Sequence, residues 1–124
     1  MANIKQRILE ALRDYLQGKG YKKFRSELDG MDTPGKVQSG ESEKEYRPDM
    51  VANHNEAKFM FEVEIADNPD EADLVEKCRV LSEAARKTNG KLNLVVPVEN
   101  YDKVIQILNT NKLEDIGVLQ INMR

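Results

Sequence analysis

The chain has 124 residues, 33% of them charged and 40% hydrophobic, a composition typical of one globular domain rather than of a disordered segment. Its formal net charge of −3 counts against a strong non-specific nucleic-acid binder, which usually carries a basic excess. No apolar run approaches the roughly 20 residues that span a bilayer, and no signal peptide opens the chain. We therefore expect no membrane partner and a cytoplasmic location, with the single Cys78 as a buried thiol.

The first half of the chain predicts one helix, one strand and a long loop. Apolar residues at helical spacing predict a helix over residues 3–18. A weak, edge-like strand follows over residues 21–28, and its lysines and arginine would either meet a phosphate backbone or protect a sheet edge. Residues 29–45 hold three of the seven glycines and few apolar side chains. We expect a long mobile loop there.

Two neighbouring strands are predicted next. The first covers residues 46–52, and a tight turn over residues 53–56 contains His54, the only histidine, which we expect to be exposed. The second strand covers residues 57–66 and alternates strictly. Phe61 and Val63 lie on one face with Phe59 and Ile65, whereas the other face carries Met60, Glu62, Glu64 and Ala66.

The remaining elements alternate between helix and strand. Asn68 is the expected N-cap of a helix that ends near Gly90, and residues 92–98 form a continuous apolar run typical of a buried strand. A further helix begins at Asn100 or Asp102, with Val104, Ile105 and Leu108 inward, and residues 117–121 form a last strand. The order α-β-β-β-α-β-α-β predicts a single α/β domain with a mixed β-sheet flanked by helices.

Three acidic residues are the candidates for chemistry. Asp49 opens the first of the two neighbouring strands, and Glu62 and Glu64 project in parallel from the second. Carboxylates among apolar residues are costly to bury unless something compensates their charge, and a divalent cation such as Mg²⁺ or Mn²⁺ prefers such oxygen ligands. The alternative is a sheet face open to solvent, on which the glutamates pair with Lys58 and Lys77.

Three features of the sequence resemble the PD-(D/E)xK nuclease superfamily. They are the order of the elements, Pro48-Asp49 at one strand and Glu62-Val63-Glu64 within the next. The segment from Pro69 to Pro97 is similar to the one that follows the motif in archaeal Holliday junction resolvases and other restriction-endonuclease-like proteins. The resemblance covers about residues 3–98. It implies a restriction endonuclease-like fold, metal-dependent hydrolysis of phosphodiester bonds, and Asp49 and Glu62 as metal-binding acids.

One position departs from that pattern. Glu64 stands where the superfamily has a lysine that positions or activates the attacking water, although some restriction enzymes of the superfamily work with a glutamate there. In other members the lysine function has moved to a neighbouring element, and Lys77 is the leading candidate for such a move here. Lys58 lies at the far end of its strand. Glu10 could match an acid of the first helix, but it lies opposite Ile8 and Leu12 on the helical wheel.

Three hypotheses follow. The first is a metal-dependent nuclease in which Asp49, Glu62 and Glu64 hold Mg²⁺ or Mn²⁺ and, with Lys77, carry out catalysis on nucleic acid. The second is a catalytically degenerate member of the same fold that serves as a binding or assembly module. The third is a small α/β protein whose function lies in the loop at residues 29–45. Whether the chain pairs with itself as a homodimer stays open.

Overall fold

The computed structural model describes residues 4–28, 30–38 and 44–122. Its helices are α1 (Ile4–Gly18), α2 (Glu71–Arg86) and α3 (Tyr101–Thr110), with a short 3₁₀ turn, Val98–Asn100, before α3. Its strands are β1 (Lys22–Ser26), β2 (Met50–His54), β3 (Ala57–Val63), β4 (Leu92–Pro97) and β5 (Gly117–Ile121). This order confirms the predicted α/β domain with a mixed sheet flanked by helices. None of the described helices is long and apolar enough to cross a membrane.

The five strands form one sheet in the order β1-β2-β3-β4-β5. The pairs β1–β2 and β2–β3 are antiparallel, whereas β3–β4 and β4–β5 are parallel. Because α2 connects β3 to β4, it crosses over the sheet and packs on one face together with α3. The buried side chains of α1 pack on the opposite face. Asp49 lies just before β2 begins and Glu62 lies near the end of β3, so both acids are at the same end of this antiparallel pair.

The alternation of β3 between the two faces is as predicted. Phe61 and Val63 belong to the apolar cluster beneath α1, and Met60 belongs to the cluster beneath α2 and α3. Glu62 therefore faces α2, and its exposed fraction is only 5%. The alternative of a sheet face open to solvent is therefore wrong for Glu62.

The turn between β2 and β3 is shorter than predicted. β2 extends to His54, and the turn consists of Asn55 and Glu56, whose φ angles are 51° and 69°. Two consecutive residues with positive φ are typical of a two-residue hairpin whose twist matches that of the strands. His54 is consequently a half-buried strand residue, not an exposed turn residue, and its ring stacks on Tyr21 with 4.6 Å between centroids.

The predicted loop at residues 29–45 is described only in part. Val37 and Tyr46 form an isolated antiparallel bridge, with backbone hydrogen bonds of 2.6 and 2.8 Å, so Tyr46 pairs here rather than within β2. Residue 29 and residues 39–43 lie outside the described residues. The mobility of this loop stays a prediction.

The N-cap of α2 is Asp70 rather than Asn68. The Asp70 side chain accepts a hydrogen bond of 3.0 Å from the backbone N–H of Asp73, which satisfies one of the free donors of the first turn. Asn68 is engaged elsewhere, because its side-chain oxygen accepts from Lys103 Nζ at 2.9 Å. On the inner face of the helix, Cys78 is buried as predicted, and burial raises the pKa of its thiol to about 12.

The start of α3 and most of its buried face agree with the prediction from the sequence. Asn100 occupies the N-cap position, and Val104 and Leu108 face the core as predicted. The third inward residue is Ile107 rather than Ile105. Residues 104, 107 and 108 follow the three- and four-residue spacing of one helix face, and residue 105 lies at its margin.

Gly90, just after α2, predicts a stability effect. Its N–H donates to the Ala85 carbonyl at 2.8 Å, and a Cβ on Gly90 would collide with the carbonyl oxygen of Lys58 in β3. Because backbone must move to admit that atom, Gly90→Ala should lower the free energy of unfolding by about 1–3 kcal/mol, as overpacking does. Urea unfolding measures this. Gly18→Ala is the control, since a Cβ there would meet none of the described neighbouring atoms within 4 Å, and equal losses in both variants would contradict the prediction.

Candidate functional site

The candidate site lies where β2 and β3 separate. Their antiparallel ladder ends at the pair Met50–Phe61, while β3 continues beside β4. Two side chains bridge the gap that follows. The backbone N–H of Asp49 donates to Glu62 Oε1 at 3.1 Å, and the backbone N–H of Val63 donates to Asp49 Oδ2 at 2.8 Å. The structure thus brings Asp49 and Glu62 together. The Glu62 carboxylate accepts from the backbone of Asp49, and the Asp49 carboxylate accepts from the backbone of the residue after Glu62.

Both carboxylates are buried and each contacts a lysine. Asp49 and Glu62 are 4% and 5% exposed. Lys5 Nζ, from the first turn of α1, lies 2.7 Å from Asp49 Oδ1, and Lys77 Nζ, from α2, lies 3.0 Å from Glu62 Oε2. The two ammonium groups reach the acids from helices on opposite faces of the sheet. All four carboxylate oxygens therefore face a donor, and each acid has one lysine as its cationic partner.

The environment of Glu62 favours its protonated form. Burial raises the pKa of this carboxyl, and the charge of Asp49 raises it further. The ion pair with Lys77 and the charge of Lys5 oppose the rise without cancelling it, so that the pKa of Glu62 is about 7. The Glu62 carboxyl therefore keeps its proton to a higher pH than an ordinary glutamate does.

Both lysines remain ammonium groups at neutral pH. Burial lowers the pKa of Lys77, but the charge of Glu62 and its hydrogen bond outweigh this and raise the pKa above 10.5. Lys5 behaves in the same way, because the hydrogen bond to Asp49 and the charge of Asp49 outweigh burial. Neither lysine is suited to accept a proton from water. Their contribution is positive charge and donated hydrogen bonds.

Glu64 lies beside Asp49 and Glu62, but its carboxylate makes a different contact from theirs. β3 ends at Val63 instead of extending to residue 66. The backbone N–H of Glu64 still donates to Val95 at 2.9 Å, but its Oε1 accepts from the N–H of Ala66 at 3.0 Å. Glu64 lines a cavity of about 410 Å³ that is also bordered by Tyr46, Asp70, Leu74 and Lys77. Lys77 connects this cavity to the pair, because its ammonium contacts Glu62. The charge of Glu64 contributes to the raised pKa of Lys77.

The predicted three-acid metal site is only partly assembled. Across residues 4–28, 30–38 and 44–122, no group of three or more His, Cys, Asp or Glu side chains is arranged to hold a metal ion. The chemistry of Asp49 and Glu62 nevertheless suits Mg²⁺ or Mn²⁺, which bind carboxylate oxygens. Asp49 Oδ1 would become available to a cation once Lys5 shifts. The joint metal site of Asp49, Glu62 and Glu64 therefore stays a prediction.

The other candidates from the sequence, Lys77, Lys58 and Glu10, lie in different places relative to the acid pair. Lys77 contacts Glu62, whereas Lys58 is exposed and pairs with Asn53 near the opposite end of β3. Glu10 is exposed on α1, in agreement with the helical wheel. These positions leave Lys77 as the cation that α2 supplies to the acid pair.

Lys5 is the site residue that sequence reasoning missed. It precedes Ile8 and Leu9 by three and four residues, and both are buried against the sheet. Lys5 therefore lies on the inward stripe of an amphipathic helix, one turn before the apolar residues begin. The position of Lys5 on this stripe is the sequence signal that could have pointed to its acidic partner.

No family model and no curated protein matches the chain. Its structure is similar to the crystal structure of AF1548, a protein of unknown function, with a TM-score of 0.54 and 12% sequence identity. The similarity covers 95% of this chain and 58% of that one, so the chain spans less than two thirds of that protein. At this level of identity the similarity shows the fold alone.

Proposed function

We propose that this protein is a metal-dependent nuclease related to the PD-(D/E)xK superfamily, which hydrolyses phosphodiester bonds in nucleic acid. The observation that carries the proposal is the position of Lys77, whose ammonium lies 3.0 Å from Glu62. Glu64 occupies the place of the expected lysine in the sequence, and α2 supplies a cation to the same acid pair. A relocated lysine is what a working site would need.

The side chains divide the chemistry among themselves. Asp49 and Glu62 would hold the metal through carboxylate oxygens, with Glu64 beside them. When bound, Mg²⁺ or Mn²⁺ supplies Lewis acidity that activates water and offsets charge on the phosphate. Lys77 keeps its proton at neutral pH and would stabilise charge that develops on the phosphate. The cavity bordered by Glu64 and Lys77 is within the size range of small-ligand clefts and would admit the scissile group.

The experiment combines metal titration with cleavage assays. Asp49→Asn should abolish the heat of Mg²⁺ or Mn²⁺ binding and the cleavage of duplex, single-stranded or branched DNA or of RNA, because one of two buried ligands loses its charge. The amide oxygen can still accept from Val63, so the fold should survive, and circular dichroism checks this. Asp102→Asn, an exposed change on α3, is the matched control and should alter neither measurement.

Two results would remove the proposed activity. Unchanged metal binding in Asp49→Asn would eliminate the site as drawn. Intact nucleic acid of every kind after incubation of the natural protein with Mg²⁺ or Mn²⁺ would eliminate hydrolysis.

A second candidate is a catalytically degenerate binding or assembly module. One observation favours it, namely that each oxygen of Asp49 and Glu62 already faces a protein donor. In that case the two lysines are structural partners and the site needs no metal. Binding of nucleic acid without cleavage in the same assays would support this candidate over the nuclease.

A further inference from the structure

We propose that Lys5 is a built-in counter-ion that occupies Asp49 and must leave it before a divalent cation can bind. The inference rests on the proposed metal site and adds a residue that competes for it. Lys5 Nζ is 2.7 Å from Asp49 Oδ1, the shortest of the contacts that join the two acids to their partners. Asp49 Oδ2 is held by the N–H of Val63, so Oδ1 is the oxygen available for exchange.

The surroundings allow Lys5 to move. Its side chain is 40% exposed, against 5% for Asp49 and 23% for Lys77. A long side chain that already reaches solvent can swing outward without opening the core, and it regains rotamer freedom when it does. An ammonium group and a divalent cation would repel each other at one carboxylate. Exchange is therefore the arrangement that electrostatics favours.

The helix itself does not hold Lys5 in place. Lys5 lies in the first turn of α1, which contains no acidic residue. The N-terminal end of a helix carries partial positive charge and is unfavourable for a cation. Asp49 is the carboxylate that Lys5 contacts, and the charges of Glu62 and Glu27 attract it more weakly. An ion that takes over Asp49 therefore removes the main attraction that holds Lys5 in place.

Lys77 differs from Lys5 in ways that suit a permanent role. It projects from the interior of α2, is less exposed, and borders the cavity beside the site. The two lysines therefore divide their tasks. Lys5 yields its position to the cation, and Lys77 remains as the positive charge for the substrate.

Calorimetric titration with MnCl₂ and MgCl₂ tests the exchange without any assay of activity. Lys5→Met keeps the length of the side chain and removes its charge, so the dissociation constant for Mn²⁺ should fall by about tenfold or more, the equivalent of about 1.4 kcal/mol. Lys5→Arg keeps the charge and should bind as weakly as the natural protein. Arg7→Met removes a charge from an exposed position of the same helix and should have little effect.

A second variant tests the same inference in case Lys5→Met does not fold. Lys5→Gln keeps a hydrogen-bond donor for Asp49 without the charge, and its melting temperature should rise more on addition of Mn²⁺ than that of the natural protein. Equal affinities in Lys5→Met, Lys5→Gln and the natural protein, or the absence of binding in all of them, would overturn the inference. Tight binding in Lys5→Met with no cleavage of nucleic acid would support the inference while removing the proposed nuclease activity.

Discussion

Lys77→Met is expected to lower the turnover of nucleic-acid cleavage by roughly 10²–10³-fold, the loss typical of one preorganised stabilising group. The ammonium lies 3.0 Å from Glu62 and remains charged at neutral pH, so its removal takes a positive charge away from the acid pair at which the phosphate would react. Because the stabilised charge appears in the transition state, kcat should fall far more than KM rises.

The controls for this prediction separate catalysis from folding. Lys58→Met removes the same charge from an exposed position of β3 and should leave kcat within a few-fold of the natural value. Urea unfolding of Lys77→Met shows how much stability is lost with the ion pair. A value of kcat that is unchanged in Lys77→Met, or lowered equally in Lys58→Met, would contradict the role assigned to Lys77.

The sheet could be predicted from the sequence because its signals are local. The strict alternation through Phe61, Glu62 and Val63 places each side chain on the correct face once the strand is recognised. The run from Leu92 to Pro97 is apolar almost throughout and forms the buried parallel strand β4. Element ends were harder to predict because they depend on competition between similar groups, as between Asn68 and Asp70 at the N-cap of α2.

The candidate site depends on contacts that no local pattern contains. Asp49 and Glu62 could be paired because antiparallel neighbours with a short turn bring their strand ends together. The orientation of Glu64 could not be predicted, because it follows from the end of β3 at Val63 and a hydrogen bond to the N–H of Ala66. The contact of Lys5 requires α1 to pack across the sheet, which only the tertiary structure specifies.

The shifted pKa of Glu62 predicts an unusual pH dependence of stability. An unfolded glutamate loses its proton near 4.5, whereas Glu62 in the folded protein keeps it to about 7. Between these values the folded state binds more protons than the unfolded state, so the Glu62 contribution to stability falls as pH rises and levels off above 7. At about 1.4 kcal/mol per pH unit, the loss across this window amounts to about 3 kcal/mol.

Glu62→Gln should remove this contribution, because glutamine mimics the protonated carboxyl and cannot ionise. The variant and the natural protein should be similarly stable near pH 4.5, and the variant should be more stable by up to about 3 kcal/mol at pH 8 in the absence of metal. Urea unfolding at several pH values between 4.5 and 8 measures the difference. Glu99→Gln, an exposed change before α3, is the control and should change the free energy of unfolding much less than Glu62→Gln does at pH 8. A pH-independent difference for Glu62→Gln would mean that Asp49 and Glu62 are fully compensated by Lys5 and Lys77, the condition expected of a structural ion-pair network rather than of a site that awaits a cation.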